Sequence, residues 1–344
     1  MKKLLLILSL FLIVGCGKNK SEKFYESYDE EYYKIYTPYK ERVGSYSLKT
    51  TNSINLKEVE SMLMELSEMY FDKEKLYYQE GQYLDNDFLK KILNECNDFT
   101  DIKISNTTIK PKYITAIFEQ NYLNKEGNLN GISLGIVINP YQAYTNSYGS
   151  TLYKTMDEKQ VLKYVEEKIS TILSSIRAEY DLNAIKILVG LFVQPSPNSM
   201  MPGVYKKYGV TNNNDIDFKE TDYQYYDLDN ISKIDTDNYQ IYENLKKEML
   251  NISPTIYVSG YSLYRENKIE KMTINITYNN TNRSTILYLN QVLSQKIMPN
   301  FSSNINIKVY IKNNNEITSM LFKEKNTIQS SIYLVDWLNN KNIV

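Results

Sequence analysis

A chain of 344 residues can form one large domain or two ordinary ones, and a hydrophobic fraction of 42% with 24% charged residues suits a folded, water-soluble protein. A net charge of -1 excludes polyanion binding by bulk charge, so no nucleic-acid partner is expected. The lack of histidine removes the commonest neutral-pH acid/base, the commonest zinc ligand and the usual partner of a Ser or Cys nucleophile.

The sequence begins with Lys2 and Lys3, continues through an apolar run over residues 4–14 broken only by Ser9, and reaches Gly15-Cys16. This is the layout of a secretory signal. The run is shorter than the roughly 20 residues that a membrane-spanning helix needs. Ile13-Val14-Gly15-Cys16 resembles a lipobox, in which a small residue precedes a thiol. That resemblance implies that a lipid transferase places diacylglycerol on Cys16 and that a signal peptidase cuts between Gly15 and Cys16. The exported chain would then be anchored by lipid to the outer face of the cell membrane. Two acyl chains give stable anchoring where one is marginal. Residues 1–15 are thus read as signal peptide and 16–30 as a flexible lipidated stalk.

Residues 24–44 are dense in tyrosine and charge, and Pro38 breaks any helix there. Asn55 and Glu58 form an N-cap pair ahead of Leu56, Val59, Leu63, Leu66 and Tyr70, which mark a helical face. A second helix follows Asp85, with Phe88, Leu89, Ile92, Leu93 and Cys96 inward. A third is expected near Pro111, with Ile114, Ile117 and Phe118.

Residues 132–138 read as a buried strand. Thr155 and Glu158 suggest a capping box for a long helix marked by Val161, Val165, Ile169, Ile172 and Ile176. Residues 185–193 read as a second buried strand, and 195–214 as a Pro/Asn-rich loop. An amphipathic helix carries Ile241, Leu245 and Met249. The order strand, helix, strand then returns with residues 271–278, a helix after Asn282 marked by Ile286, Leu289, Leu293 and Ile297, and residues 305–311. A hairpin of 316–322 with 328–335 closes the pattern. The expected fold class is α+β, with two related strand-helix-strand lobes, 31–210 and 211–344, whose sheets are covered by helices. Whether both lobes share one sheet is left open.

The chain has no Gly-rich phosphate loop, no CxxC and no HExxH, so neither cofactor nor metal is expected. Asn212-Asn213-Asn214-Asp215-Ile216-Asp217 alternates oxygens but lacks the Gly and terminal Glu of a calcium loop; it reads as a solvated loop. With Cys16 lipidated, Cys96 has no disulfide partner and reads as a buried structural thiol. The 33 tyrosines have two readings, the codon bias of an AT-rich genome and a tyrosine-lined binding surface. The densest unusual segment is Tyr77-Tyr78-Gln79-Glu80-Gly81-Gln82-Tyr83-Leu84. It could line a groove for a sugar or peptide, or form a tight inter-helix turn whose side chains satisfy local backbone. Glu80 is the one acid to nominate for carboxylate hydrolysis, which needs a second carboxyl across a cleft. None is evident, and the chain reads as non-enzymatic.

Gln79-Glu80-Gly81-Gln82-Tyr83-Leu84 resembles a signature of the CamS-type sex pheromone lipoprotein family, and Tyr32-Tyr33-Lys34-Ile35-Tyr36-Thr37-Pro38-Tyr39-Lys40 resembles that family's opening segment. Residues 134–139, Pro202-Gly203 and residues 271–276 fall where the family has a strand, a Pro-Gly loop and a late strand. The resemblance implies that the released signal, around Leu8 to Gly15, is trimmed to a short apolar peptide that induces conjugative plasmid transfer. The alternative is an extracytoplasmic binding module for cell-wall glycan, peptide or a protein partner, its ligand unknown.

Overall fold

The computed structural model describes residues 45–334 except 51, 105, 106, 184, 280–282, 315, 328 and 329. Gly15, Cys16, the stalk and residues 32–40 lie outside the described residues.

The first sheet has seven strands. Strands β1 (Ser45–Ser47) and β2 (Tyr77–Glu80) both pair with β5 (Ile114–Leu123), one after the other along the same edge. The order continues through β6 (Leu129–Ile138), β9 (Lys186–Val193), β10 (Val204–Thr211) and β11 (Lys219–Glu220). Two small hairpins stand apart from it, β3 (Ile102–Ile104) with β4 (Thr107–Ile109), and β7 (Tyr141–Thr145) with β8 (Thr151–Thr155).

Strands β6 and β9 are parallel, Gly131 opposite Lys186 through Ile138 opposite Val193. Parallel strands need a crossover, supplied by helix α3 (Glu158–Tyr180). Both strands are buried on both faces, which explains their unbroken apolar runs. Helix α2 (Asn86–Cys96) and α3 cover one face through Leu89, Ile92, Leu93, Val165, Ile169 and Ile172. Helix α1 (Leu56–Ser67) covers the other through Val59, Met62, Leu63 and Leu66, packed with Phe118, Leu188 and Tyr205.

The second sheet has six strands, in sequence order: β12 (Tyr223–Asp227), β13 (Tyr257–Arg265), β14 (Lys268–Tyr278), β15 (Asn306–Asn313), β16 (Glu316–Lys323) and β17 (Ser330–Leu334). Here β14 and β15 are the parallel pair. Helices α4 (Thr236–Ile252) and α5 (Arg283–Val292) cover one face through Tyr242, Leu245, Met249, Ile286 and Leu289. The strand-helix-strand unit thus occurs twice, as β6-α3-β9 and β14-α5-β15, in two separate sheets. This is an α+β fold with helix-covered sheets.

Helix α1 touches both sheets. Its apolar stripe lies on the first, joined by Leu263 of β13. Its Glu58 accepts a hydrogen bond from the Tyr225 hydroxyl on β12, and Glu65 forms an ion pair with Lys271 on β14.

Three local expectations need correction. Residues 114–118 form the start of β5, not a helix. Burial on both faces put Ile114, Ile117 and Phe118 at spacings that imitate a helical stripe. The stretch 195–214 contains β10, whose sequence VYKKYGVT alternates too weakly to stand out beside its prolines. The N-cap of α3 is Asp157, which accepts from the Gln160 amide at 2.8 Å, rather than Thr155. The caps expected from Asn55 and Asp85 do form, on Glu58 N and Phe88 N.

Candidate functional site

The segment 77–84 is part edge strand and part turn. Tyr77 to Glu80 pair with Leu123 to Gln120 on β5. The Tyr78 ring is edge-on to Tyr122 at 4.7 Å, Tyr122 stacks on Phe71 at 4.0 Å, and the Tyr78 hydroxyl donates to the Phe71 carbonyl. Tyr78 and Gln79 are therefore half-buried parts of the fold, while Glu80 is exposed.

At Gly81 the chain turns toward α2, and four successive amides are received by two side chains and one carbonyl of β5. Gly81 N donates to the Glu119 carbonyl at 3.1 Å. Gln82 N donates to Asn121 Oδ1 at 2.8 Å. Tyr83 N reaches Glu119 Oε1 at 3.3 Å and Leu84 N reaches Oε2 at 3.0 Å. Asn121 Nδ2 donates to Glu119 Oε1 at 2.6 Å and holds the carboxylate in place. Such donors would otherwise be orphaned at the entrance to a helix.

Gly81 is required by close approach. A Cβ there would stand 2.6 Å from Glu119 Cβ and 2.8 Å from the Glu119 carbonyl oxygen. The turn runs directly into Asp85, the α2 cap, whose amide donates to the Tyr180 hydroxyl at 3.0 Å while that hydroxyl donates back to Asp85 Oδ2 at 2.5 Å. The Asp85 carboxylate thus ties the start of α2 to the end of α3.

Glu119 is 4% exposed. Burial raises its pKa to about 7, against the pull of Asn121, Leu84 and Tyr83, whose donated hydrogen bonds favour the ionised form. Burial, and then the Glu119 charge, push the half-buried Tyr83 hydroxyl upward. The sequence does not single out Glu119: a helix is expected around 114–118, and the acid sits next to the amides Gln120 and Asn121 in ITAIFEQNYL.

Chemically, this arrangement holds backbone. Neither the 760 Å³ depression lined by Asp235, Arg265 and Glu270 nor the 360 Å³ one lined by Glu68 and Asp72 includes a residue of 77–84. Among the described residues no group of three or more acids or cysteines is placed to hold a metal ion. The Asn212–Asp217 stretch closes on itself instead, Asp215 N donating to Asn213 Oδ1 at 2.9 Å. Cys96 is buried and its thiol is pushed up to about 11 by that burial.

Among the described residues the tyrosines are buried or scattered rather than gathered on one groove. Tyr122, Tyr205, Tyr242 and Tyr278 are fully buried. The strongly exposed Tyr148, Tyr257 and Tyr288 stand on three different elements, the β7-β8 hairpin, β13 and α5. This distribution counts heavily against a tyrosine-lined binding surface. No described helix is long and apolar enough to cross a membrane.

Comparison with known proteins places this architecture. A family model described as "CamS sex pheromone cAM373 precursor" matches residues 39–329. Among solved structures, a sex pheromone precursor from Lactobacillus salivarius is similar, with a TM-score of 0.72 and 23% identity over 82% of this chain and 88% of that one. The C-terminal domain of the sex pheromone staph-cAM373 precursor from Staphylococcus aureus is also similar, with a TM-score of 0.67 and 19% identity over 83% of this chain and 98% of that one. These two share the fold. No curated protein sequence matches significantly.

Proposed function

The chain belongs to the CamS family of sex pheromone precursors, and on that premise we propose that it is an exported lipoprotein whose cleaved signal yields a short apolar pheromone. Cys16 becomes the lipid-bearing first residue of the mature chain. The peptide ending at Gly15, around Leu8-Ser9-Leu10-Phe11-Leu12-Ile13-Val14-Gly15, is released and induces conjugative plasmid transfer in neighbouring cells. The observation that carries the reading is the coincidence of a lipobox at Gly15-Cys16 with a family match that starts downstream, at residue 39.

The folded part is non-enzymatic in this reading. Supporting it, the backbone amides of 81–84 in the family-like segment are spent on structure, going to Glu119 and Asn121.

Two measurements test the two halves separately. Labelled palmitate supplied to producing cells should enter the wild-type chain and not the Cys16→Ala variant; equal labelling ends the lipoprotein half. Synthetic peptide of residues 8–15, added to plasmid-bearing cells, should raise transfer frequency. An unchanged frequency ends the pheromone half.

A further inference from the structure

The loops at the two ends of β6 share one geometry and differ in chemistry. Before β6, Asn124 N donates to the Asn128 carbonyl at 2.9 Å, Gly127 N to the Asn124 carbonyl at 2.9 Å, and Asn124 Oδ1 accepts from Glu126 N and Asn128 N at 3.1 and 2.8 Å. After β6, at the tip of the β7-β8 hairpin, the same four bonds recur. Asn146 N reaches the Ser150 carbonyl at 3.0 Å, Gly149 N the Asn146 carbonyl at 3.1 Å, and Asn146 Oδ1 takes Tyr148 N and Ser150 N at 3.0 and 2.9 Å. Gly127 and Gly149 have φ of 84° and 81°. One loop displays Lys125-Glu126, the other Ser147-Tyr148. The turn therefore does not require an aromatic residue, yet Tyr148 is 91% exposed.

The rest of that end of the sheet is also depleted of charge. Residues 138–156 carry Lys154 alone, and 187–205 carry no charge, in a chain that is 24% charged. The two stretches leave neighbouring parallel strands, and Gln194 N donates to the Ile138 carbonyl at 2.8 Å. Leu152 and Met200 are exposed, and Leu152 lies opposite Tyr144 on one face of the hairpin. The hairpin is a two-stranded sheet by itself, a form that is marginal in water without support.

Exposed lysines flank this end. Lys154 is on β8. The Lys112 backbone N–H donates to Gln142 Oε1 at 2.8 Å at the hairpin base. Lys49 follows Leu48, whose amide is bound to Thr115 beside that base. None of the three has a carboxylate within ion-pair distance among the described residues. Asp157 and Glu158, which follow β8, serve the start of α3, with Glu158 4.0 Å from Lys206, and Asp98 pairs with Lys110 at 2.9 Å.

We infer that this end of the first sheet, with Tyr148, Leu152 and Met200 at its tips and Lys49, Lys112 and Lys154 around them, docks on the surface of an anionic phospholipid bilayer. Aromatic and aliphatic tips suit the headgroup boundary, and nearby lysines add attraction to an anionic leaflet. The inference builds on the lipoprotein reading, which places the domain beside a membrane.

The test uses the mature chain from residue 16 with Cys16→Ser, sedimented with vesicles containing phosphatidylglycerol and with vesicles of phosphatidylcholine alone. Binding is expected to the anionic vesicles, falling at least about fivefold in the Tyr148→Ser, Leu152→Ser, Met200→Ser triple variant. The Lys-Glu loop at 125–126 shows that a polar tip is compatible with the turn, and an unchanged melting temperature verifies the fold. No sedimentation, equal binding to both vesicles, or equal binding by the variant overturns the inference. Self-association that the variant abolishes, without vesicle binding, assigns the face to a second copy and also overturns it. Failure of palmitate labelling beside intact vesicle binding would remove the lipid tether and leave the docking face standing.

Discussion

The Glu119 carboxylate accepts the Leu84 amide at 3.0 Å, which fastens the entrance of α2 to the middle of β5. Its pKa of about 7 lies above the ordinary carboxylate value of 4.5. The folded state therefore holds a proton that the unfolded chain has already released. By linkage, the contribution of Glu119 to stability is greatest below pH 4.5 and is lost as pH rises toward about 7. The fall amounts to about 3 kcal/mol at most. Urea melts of the wild type between pH 4.5 and 8 should show this decline, and Glu119→Gln should flatten it. A Gln variant with an unchanged slope would assign the pH dependence to another group.

Gly81→Ala should be among the most damaging single-methyl changes in the chain. The added carbon meets β5 backbone as well as the Glu119 side chain, so no rotamer change relieves it. A loss of about 2–4 kcal/mol is expected from overpacking and from broken amide bonds. Chemical denaturation gives the value directly, and a loss under about 0.5 kcal/mol would show that the turn can move away from β5.

Between the two sheets, Tyr225→Phe leaves Glu58 half-buried without its hydroxyl donor. Burial already raises the Glu58 pKa, opposed first by that hydrogen bond. The variant should lose about 1–3 kcal/mol and raise the Glu58 pKa further. A double-mutant cycle with Glu58→Gln should give a coupling of about 0.5–3 kcal/mol; additive losses would mean that the contact adds nothing across the junction.

Cys96 should resist thiol reagents in the native state. Burial closes access and raises the thiol above its usual range, so almost no thiolate exists near neutral pH. Labelling of the Cys16→Ser chain should be slow without denaturant and stoichiometric in it. Fast native labelling would show that α2 opens readily.

Much of the fold was legible because helices and buried parallel strands write strong patterns. Val161 through Ile176 keep one stripe along α3, and β6 and β9 stand out as apolar runs closed by Asn139-Pro140 and Gln194-Pro195. Strand β5 was not legible: covered on both faces, it has no period of two, and three of its residues fall at helical spacing. The segment 77–84 is recognisable as unusual, but its partners Glu119 and Asn121 lie far along the chain on β5. Short-range patterns carry no trace of such a pairing. The similarity between the loops at Asn124 and Asn146 is written plainly in sequence as N-x-x-G, but only the structure shows that one precedes β6 and the other tips the separate β7-β8 hairpin that follows it.

Strands β1 and β2 share one edge of β5, and their ties are unequal. β1 has three paired residues and the Leu48 amide bond beyond them, whereas β2 is followed at once by the Glu119 and Asn121 bonds. A mechanical load entering through the amino-terminal end meets β1 first. Its three residues would peel before anything behind Glu119 yields, so this edge of the sheet carries a fuse at β1.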